Sequence, residues 1–264
     1  MGTFQFNYQY LILLCTVVSI LQGSAIVAKK GGGTYRIING TRSSIKEFPF
    51  LVSVQKFESI LPSHICGGAF ISSDWILTAA HCLKNRLPMH VLIRVESSYH
   101  DQGGTLLPVS QLIMHQEFRT EVDDYDYGLI KLSKTFRRAV PVNLKKGSRR
   151  FRSGELCTVM GWGRTASTSL SKQIQKATVP IVSNKICQDT FLETGDEFTS
   201  RMLCAGYQKG GTDACEGDSG GPLVCRRMLT GISSWGLGCA EADYYGVYSD
   251  VTPIRAWIRN HTGV

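Results

Sequence analysis

The amino-acid sequence predicts an all-β fold, either a barrel or a sandwich, that ends in one α-helix. Short apolar runs, separated by Gly, Ser, Asn or Pro, recur along the chain, and this pattern is typical of β-strands joined by turns. No repeat with a period of about 20–50 residues is present, which argues against a solenoid. The clearest apolar runs are residues 50–54, 69–71, 75–78, 91–95, 128–132, 156–160 and 229–233.

The C-terminal segment has a helical pattern. Thr252 can cap a helix, Pro253 suits its first turn, and Ile254, Trp257 and Ile258 recur at helical spacing. We expect this apolar face to pack on the β-structure rather than to bind a partner.

The composition is that of a folded and moderately basic protein. Hydrophobic residues make up 43% of the 264 residues and charged residues 19%, which argues against disorder. The net charge of +8 falls to +5 without the first 36 residues, because these contain Lys29, Lys30 and Arg36 and no acid. A basic motif with interleaved aromatic residues is missing, so we expect no nucleic-acid partner.

The N-terminal residues predict export. Residues 10–21 are mostly apolar and are followed by Gly23, Ser24 and Ala25, which resemble a signal-peptidase site. A membrane anchor is the alternative, but the run is shorter than the roughly 20 helical residues that span a bilayer. We therefore divide the chain into a signal peptide (1–25), an activation propeptide (26–36) and a folded domain (37–264). The protein is expected to be secreted and extracellular, with no membrane partner.

The cysteine count also favours export. One of the nine cysteines, Cys15, lies in the signal peptide, and the remaining eight predict four disulfides in an oxidising compartment. Metal ligation is the alternative, but no pair has the close two-residue spacing of zinc ligands. Eight cysteines allow about a hundred pairings, among which the sequence alone does not choose.

A candidate nucleophile is Ser219, in the segment Gly-Asp-Ser-Gly-Gly-Pro at residues 217–222. A serine hydroxyl needs an adjacent base to react at neutral pH. Flanking glycines allow substrate to approach and allow the backbone N–H groups of Gly217 and Ser219 to converge as an oxyanion hole. An ordinary glycine-rich turn is the alternative.

The candidate base is His81, which follows small residues and precedes Cys82. An imidazole takes up and returns a proton near neutral pH. Asp126 precedes an apolar run, where a buried carboxylate could orient the imidazole. From the residues alone, Asp123 and Asp124 compete with Asp126 for this role.

These motifs resemble the trypsin-like branch of the chymotrypsin family over residues 37–264. The resemblance implies two six-stranded antiparallel β-barrels, with the active site between them and a C-terminal helix. It implies that His81, Asp126 and Ser219 are the catalytic residues, with the backbone of Gly217 and Ser219 as oxyanion hole. The matching motifs are Ile37-Ile38-Asn39-Gly40, Thr78-Ala79-Ala80-His81-Cys82, Gly161-Trp162-Gly163, Gly217-Asp218-Ser219-Gly220-Gly221-Pro222 and Ser234-Trp235-Gly236.

The resemblance also implies a disulfide pairing, which leaves no cysteine to tether the propeptide. The implied pairs are Cys66 with Cys82, Cys157 with Cys225, Cys187 with Cys204, and Cys215 with Cys239.

Cleavage between Arg36 and Ile37 is implied to activate the protein. In the family the new α-amine of the first mature residue pairs with the carboxylate beside the nucleophile, here Asp218. An unpaired buried carboxylate would cost several kcal/mol, which gives this pairing a physical reason. We therefore expect the uncut chain to be nearly inactive.

The resemblance assigns Asp213 to the floor of the primary substrate pocket, where a carboxylate pairs with Arg or Lys. Gly236 and Gly246 match wall positions that leave room for a long side chain. Ala214 provides no hydroxyl partner for Lys, so Arg is expected to be preferred. The remaining substrate-binding candidates are Glu216 at the rim, Ser234 and Trp235.

Together these features predict a serine endopeptidase, secreted as a zymogen, that hydrolyses peptide bonds after Arg or Lys through an acyl-enzyme intermediate. The alternative is a catalytically silent homologue that acts as a binding protein, although all three catalytic residues are present. Expected partners are protein or peptide substrates with Arg or Lys at the cleaved position, an activating protease and protein inhibitors. No cofactor and no metal are expected.

A basic segment follows the middle of the chain. Residues 134–152 contain eight basic side chains and no acid, a pattern that fits either a solvated face or a site for a polyanion. The basic residues are Lys134, Arg137, Arg138, Lys145, Lys146, Arg149, Arg150 and Arg152.

Overall fold

β-Strands dominate the structure, a computed structural model that describes residues 40–58, 60–145, 147, 151–165 and 168–264, together with residue 2. The signal peptide (1–25), the propeptide (26–36) and the cleavage-site residues Arg36 and Ile37 lie outside the described residues. No helix in the described part of the chain is both long and apolar enough to cross a membrane.

The first half of the domain forms a closed six-stranded antiparallel barrel. After the short strand β1 (Thr41–Arg42), five of the six barrel strands overlap apolar runs that the sequence shows, since branched and aliphatic residues pack well on a pleated surface. The strand at residues 105–114 was not among those runs. The six strands are β2 (Leu51–Lys56), β3 (Ser63–Phe70), β4 (Trp75–Thr78), β5 (Val91–Val95), β6 (Thr105–Met114) and β7 (Gly128–Leu132). The order around the barrel is β2-β3-β4-β7-β6-β5.

The second half forms an eight-stranded sheet. Its remaining strands are β8 (Asn143–Leu144), β9 (Leu156–Gly161), β10 (Gln175–Pro180), β11 (Met202–Ala205), β12 (Pro222–Cys225), β13 (Met228–Trp235) and β14 (Gly246–Asp250). The order is β1-β10-β9-β12-β13-β14-β11, with β8 parallel to β13.

Strand β11, at one end of this sheet, meets the end of β10, which lies next to the other end. An isolated bridge joins Ile181 to Ala205, and Gly206 N–H donates to the Pro180 carbonyl at 3.0 Å. The six strands β9 to β14 therefore run round to a closure that consists of one bridge rather than a full ladder. The predicted all-β fold is confirmed, with a fully closed first barrel.

Two α-helices accompany the strands in the described part of the chain, of which the sequence analysis predicted one. The unpredicted helix, α1 (Asn184–Thr194), begins after Ser183, whose hydroxyl accepts from Ile186 N–H at 3.2 Å. It ends at Gly195, which takes a left-handed φ of 82°.

The C-terminal helix, α2 (Arg255–Thr262), is preceded by Ile254 as N-cap, so the prediction that Thr252 caps it is wrong. The Thr252 hydroxyl instead accepts a hydrogen bond from Lys145 Nζ at 2.9 Å. The apolar face packs as expected, since Trp257 and Ile258 are buried in the same cluster as the first-barrel core.

Four disulfides join the pairs that the resemblance implies: Cys66–Cys82, Cys157–Cys225, Cys187–Cys204 and Cys215–Cys239. The first connects β3 to the turn that carries His81, and the last connects the segments before Ser219 and after β13.

Candidate active site

His81 and Asp126 are brought together by two neighbouring strands of the first barrel. Thr78, at the end of β4, pairs with Gly128, at the start of β7, so the turn after one strand faces the turn before the other. Asp126 accepts two hydrogen bonds from His81, from the backbone N–H to Oδ1 and from Nδ1 to Oδ2, both at 2.8 Å. Of the three competing acids, Asp126 is therefore the one that holds the imidazole.

Asp126 is fully buried and links the first barrel to the second sheet. Ser234, on β13, donates its hydroxyl to Asp126 Oδ2 at 2.6 Å. Ser234 was assigned to substrate binding from the sequence, and it also helps to fix the carboxylate.

Asp124 does not contact the imidazole; its carboxylate binds side chains from both halves of the domain. Its carboxylate is only 1% exposed. It accepts from Arg201 Nε and Nη2 at 2.8 and 2.5 Å, from Arg119 Nη2 at 2.8 Å and from the Thr199 hydroxyl at 2.8 Å. These bonds lower the pKa of Asp124 although burial opposes them. The sequence analysis missed Arg201 and Thr199, because they lie about 75 residues further along the chain.

Ser219 lies half-buried in a tight turn that requires glycine at two positions. Gly217 and Gly220 have φ values of 90° and 74°, in a region that residues other than glycine rarely adopt. The Ser219 carbonyl accepts from Gly67 N–H at 2.8 Å, which fixes the turn against β3.

Hydrogen bonds to two backbone carbonyls orient Gly217, whose N–H is one of the two oxyanion-hole candidates. The Glu216 carbonyl accepts from Arg164 N–H at 2.6 Å. Because the peptide bond is trans, the Gly217 N–H points away from Arg164. The Gly217 carbonyl accepts from His64 Nε2 at 2.9 Å.

His64 and Ser53 behind this loop were missed by the sequence analysis. The Ser53 hydroxyl lies 2.8 Å from His64 Nδ1. Since Nε2 bonds to a carbonyl, it carries the proton, and Nδ1 accepts from Ser53. Burial lowers the pKa of His64 to about 4, so the ring is neutral at physiological pH. No local motif marks this pair, because it depends on the register of β2 and β3.

A pocket of about 410 Å³ adjoins Ser219 and gathers the predicted substrate-binding residues. Asp213 is buried in it, and Gly246 forms a wall: a Cβ there would lie 2.5 Å from Asp213 Oδ1 and 3.2 Å from the Tyr248 ring. Tyr248 is a lining residue that the sequence analysis missed. The predicted residues in the lining are Asp213, Ala214, Glu216, Ser219, Ser234, Trp235, Gly236 and Gly246.

Comparison with known proteins agrees with this geometry. The trypsin family model matches residues 37–258. Trypsin 5G1 of Aedes aegypti is 39% identical over 233 residues, which cover 87% of this chain and 86% of that protein. Trypsin Blo t 3 of Blomia tropicalis is 38% identical over 231 residues (84% and 85%). The vitellin-degrading protease of Bombyx mori is 36% identical over 251 residues (94% and 92%).

The chain is a serine protease of the trypsin family. The protease is therefore a hydrolase, a serine endopeptidase whose substrates are proteins or peptides. Secretion and synthesis as a zymogen are typical of the family.

The His81 imidazole of the protease binds a proton more readily than an ordinary histidine does. Burial acts to lower the pKa of His81, but the hydrogen bond and the negative charge of Asp126 outweigh burial and raise it above its ordinary value. The side chain keeps 28% of its surface exposed, so it remains accessible from the cleft.

Two buried carboxylates flank Ser219 in the protease. Burial raises the pKa of Asp213 to about 7, although the Ala214 N–H donates to it at 2.7 Å. Burial likewise raises the pKa of Asp218 to about 7, against hydrogen bonds from Gly163 N–H at 2.8 Å and Cys215 N–H at 3.1 Å. Among the described residues, neither forms an ion pair with Lys, Arg or His. Both would be stabilised as anions by a cation brought next to them.

Glu216 at the rim does not act as an isolated negative charge. Its carboxylate pairs with Arg164 Nη1 at 2.8 Å; the Glu216 side chain is exposed and that of Arg164 is half-buried. The rim therefore carries an ion pair.

Two groups of potential metal ligands occur among the described residues. The first comprises Cys66, His81 and Cys82, but its sulfurs form a disulfide, which has no thiolate to bind a metal. The second comprises His81, Asp123 and Asp126, in which His81 and Asp126 already bond to each other.

Proposed function

We propose that the protease cleaves peptide bonds after Arg or Lys through an acyl-enzyme intermediate. The observation that carries this proposal is Asp213, a buried carboxylate without a cationic partner among the described residues, in the pocket that adjoins Ser219. A guanidinium or ammonium group that enters the pocket would compensate this charge through a charge-assisted hydrogen bond.

In the proposed mechanism, His81 takes the proton from the Ser219 hydroxyl as the oxygen attacks the peptide carbonyl. The bond that Asp126 accepts from Nδ1 keeps the proton on that nitrogen, leaves Nε2 as the base and stabilises the imidazolium. The N–H groups of Gly217 and Ser219 would stabilise the oxyanion. His81 then protonates the leaving amine, and water releases the acyl group by the same steps in reverse.

The pocket favours Arg over Lys in this proposal. Arg reaches a carboxylate with two parallel N–H groups, whereas the shorter Lys needs additional acceptors near its ammonium group. The Ala214 side chain is a methyl group and provides no acceptor for the ammonium group of Lys. The proposed preference for Arg follows from this missing acceptor.

We further propose that the protein is secreted as a zymogen and is activated by a protease that cuts between Arg36 and Ile37. Support comes from Asp218, which is fully buried and has a raised pKa, so the α-amine of Ile37 would relieve a real electrostatic cost. An amine paired in this way has a raised pKa, and the pairing is lost as the pH rises through that pKa. Activity should therefore decline in alkali.

A polyanion remains a proposed partner of the basic segment, on a smaller set of residues. Lys145 is buried, and Arg138 is exposed but pairs with Glu96 at 2.7 Å. In the described part, Lys134, Arg137 and Arg152 are also exposed. Lys146, Arg149 and Arg150 lie outside the described residues. Salt-sensitive retention on a polyanion column, lost in an Arg137→Ala, Arg152→Ala variant, would support this partner.

The proposed function is tested by cutting the secreted chain at Arg36 and presenting a peptide library randomised on both sides of the cleaved bond. We expect products that end in Arg, and less often in Lys. The Ser219→Ala variant controls for contaminating proteases and should lose on the order of a million-fold in turnover. Cleavage after aromatic residues instead would overturn the specificity, and full activity of Arg36→Ala would overturn the activation step.

A further inference from the structure

An acceptor pattern for N-linked glycosylation lies on the C-terminal helix and has no part in the proposed catalysis. The pattern is Asn-X-Ser or Asn-X-Thr, where X is not proline, and it is typical of a surface position in an exported protein. Two segments of the chain match it, Asn39-Gly40-Thr41 and Asn260-His261-Thr262. Asn39 lies outside the described residues, whereas Asn260 lies in the last turn of α2.

Asn260 is on the solvent-facing side of this helix. Trp257 and Ile258 are buried against the first-barrel core, whereas Arg259, Asn260 and His261 are exposed. A sugar chain attached to Asn260 would therefore extend into solvent and would displace no core side chain.

The side-chain amide of Asn260 is available for modification. Within the described part of the chain it takes part in no hydrogen bond, in contrast to the two residues that follow it. His261 Nδ1 lies 2.9 Å from the Trp257 carbonyl, and the Thr262 hydroxyl donates to the Ile258 carbonyl at 2.7 Å. Attachment of a glycan to the amide would thus break no hydrogen bond of the native fold.

The segment around Asn260 can also be reached while the chain is still extended. The last cysteine of the four disulfides is Cys239, so no covalent loop encloses residues 240–264. A helix of eight residues is marginal in water by itself, so α2 depends on docking to the first-barrel core. The acceptor segment therefore stays accessible to a glycan-transferring enzyme until the domain has folded.

We propose that Asn260 carries an N-linked glycan, an inference that rests on the proposed secretion. The co-reactant is an oligosaccharide activated as a lipid-linked diphosphate. A bond forms between Asn260 Nδ2 and the anomeric carbon of the sugar, and the bond from that carbon to the diphosphate oxygen breaks. The diphosphate leaves with the electron pair of the broken bond, and the amide nitrogen loses one proton.

The test uses the full chain, secreted from cultured eukaryotic cells. Peptide N-glycosidase in heavy-oxygen water converts each glycan-bearing asparagine into a labelled aspartate, which peptide mass spectrometry then locates. We expect the label at residue 260 in the wild-type protein and in Asn39→Gln, the control that removes the other acceptor. Asn260→Gln and Thr262→Ala should each lose this label together with the mass of one glycan. Thr262→Ser keeps the hydroxyl and should retain both.

The outcomes separate the inference from the proposed secretion. An unlabelled residue 260 in wild-type protein from the medium would overturn the inference and leave the secretion intact. Protein that stays in the cells without a glycan would overturn both. A label at residue 260 that appears without the glycosidase, or that persists in Thr262→Ala, would show spontaneous deamidation and would contradict the glycan. If Asn260→Gln is not recovered from the medium, the label in the wild-type peptide decides by itself.

Discussion

Four buried carboxylates surround the active site, and the two in the first barrel differ from the two in the second sheet. Asp124 and Asp126 receive most of their hydrogen bonds from side chains, including two arginines and the His81 imidazole. Asp213 and Asp218 receive theirs from backbone N–H groups, and burial raises the pKa of each to about 7. The first pair is compensated within the fold, whereas the second pair would gain from a cation supplied by a substrate or by a new amino terminus.

This comparison separates acids whose charge the fold itself compensates from acids whose charge it leaves uncompensated. A compensated carboxylate stabilises the native state, and its removal leaves its partners unsatisfied. An uncompensated one costs stability, and such groups are frequent at functional sites. Asp123, half-buried beside His81, resembles the second kind although it lies in the first barrel, because burial and the charge of Asp126 raise its pKa.

The largest expected effect on stability is that of Asp124→Asn. Removal of the charge leaves Arg119 and Arg201 without their buried partner, so we expect the free energy of unfolding to fall by about 3 kcal/mol. Denaturant unfolding with disulfides intact measures this loss. The control is Asp189→Asn, which removes an exposed partner of Lys185 and should change stability by less than about 0.5 kcal/mol.

The sign of the pH dependence follows from the lowered pKa of Asp124. Its stabilising contribution is complete above the ordinary aspartate pKa of about 3.9 and is lost as the pH falls below that value. Equal losses of stability in Asp124→Asn and Asp189→Asn would remove the distinction between the two pairs of carboxylates.

The Asp213→Asn substitution, in contrast to Asp124→Asn, is expected to lower activity without lowering stability. It should lower kcat/KM for Arg peptides by about 100-fold, because a desolvated charge pair with the substrate is lost. It should not lower the free energy of unfolding, since a buried carboxylate without a cationic partner costs stability. A variant that is destabilised but still cleaves Arg peptides normally would show that Asp213 is a structural acid.

The smallest expected effect is a pH dependence of ligand binding. An aryl amidinium ion stays charged at all relevant pH values, so its affinity reports the ionisation of Asp213. With a pKa of about 7 for Asp213, binding should be about tenfold weaker at pH 6 than at pH 8, because a protonated carboxyl does not pair with a cation. Calorimetric titration measures this, and the difference should disappear in Asp213→Asn. A wild-type affinity that does not change between these pH values would contradict the raised pKa.

Much of the fold could be predicted because a buried strand shows itself in the sequence as a short run of apolar residues. The runs at 75–78, 91–95 and 128–132 coincide with β4, β5 and β7. Helix α1 also left a signal that the sequence analysis did not use: Ser183 before it, Gly195 after it, and Cys187 and Phe191 one turn apart on its buried face. Thr252 shows the limit of such signals, because its hydroxyl found a tertiary partner in Lys145 instead of capping α2.

By itself, the sequence determined that this chain makes short strands and carries a candidate nucleophilic serine, a candidate base and several candidate acids in recognisable segments. These features depend on local order along the chain, which a sequence contains in full. Only the tertiary structure decided which of the neighbouring residues Asp123, Asp124 and Asp126 meets a cleft, an arginine pair or the imidazole. Those outcomes depend on Arg201, Thr199 and Ser234, about 75 to 110 residues further along. Local patterns carry no information about which distant side chains the closing of a barrel will bring into contact.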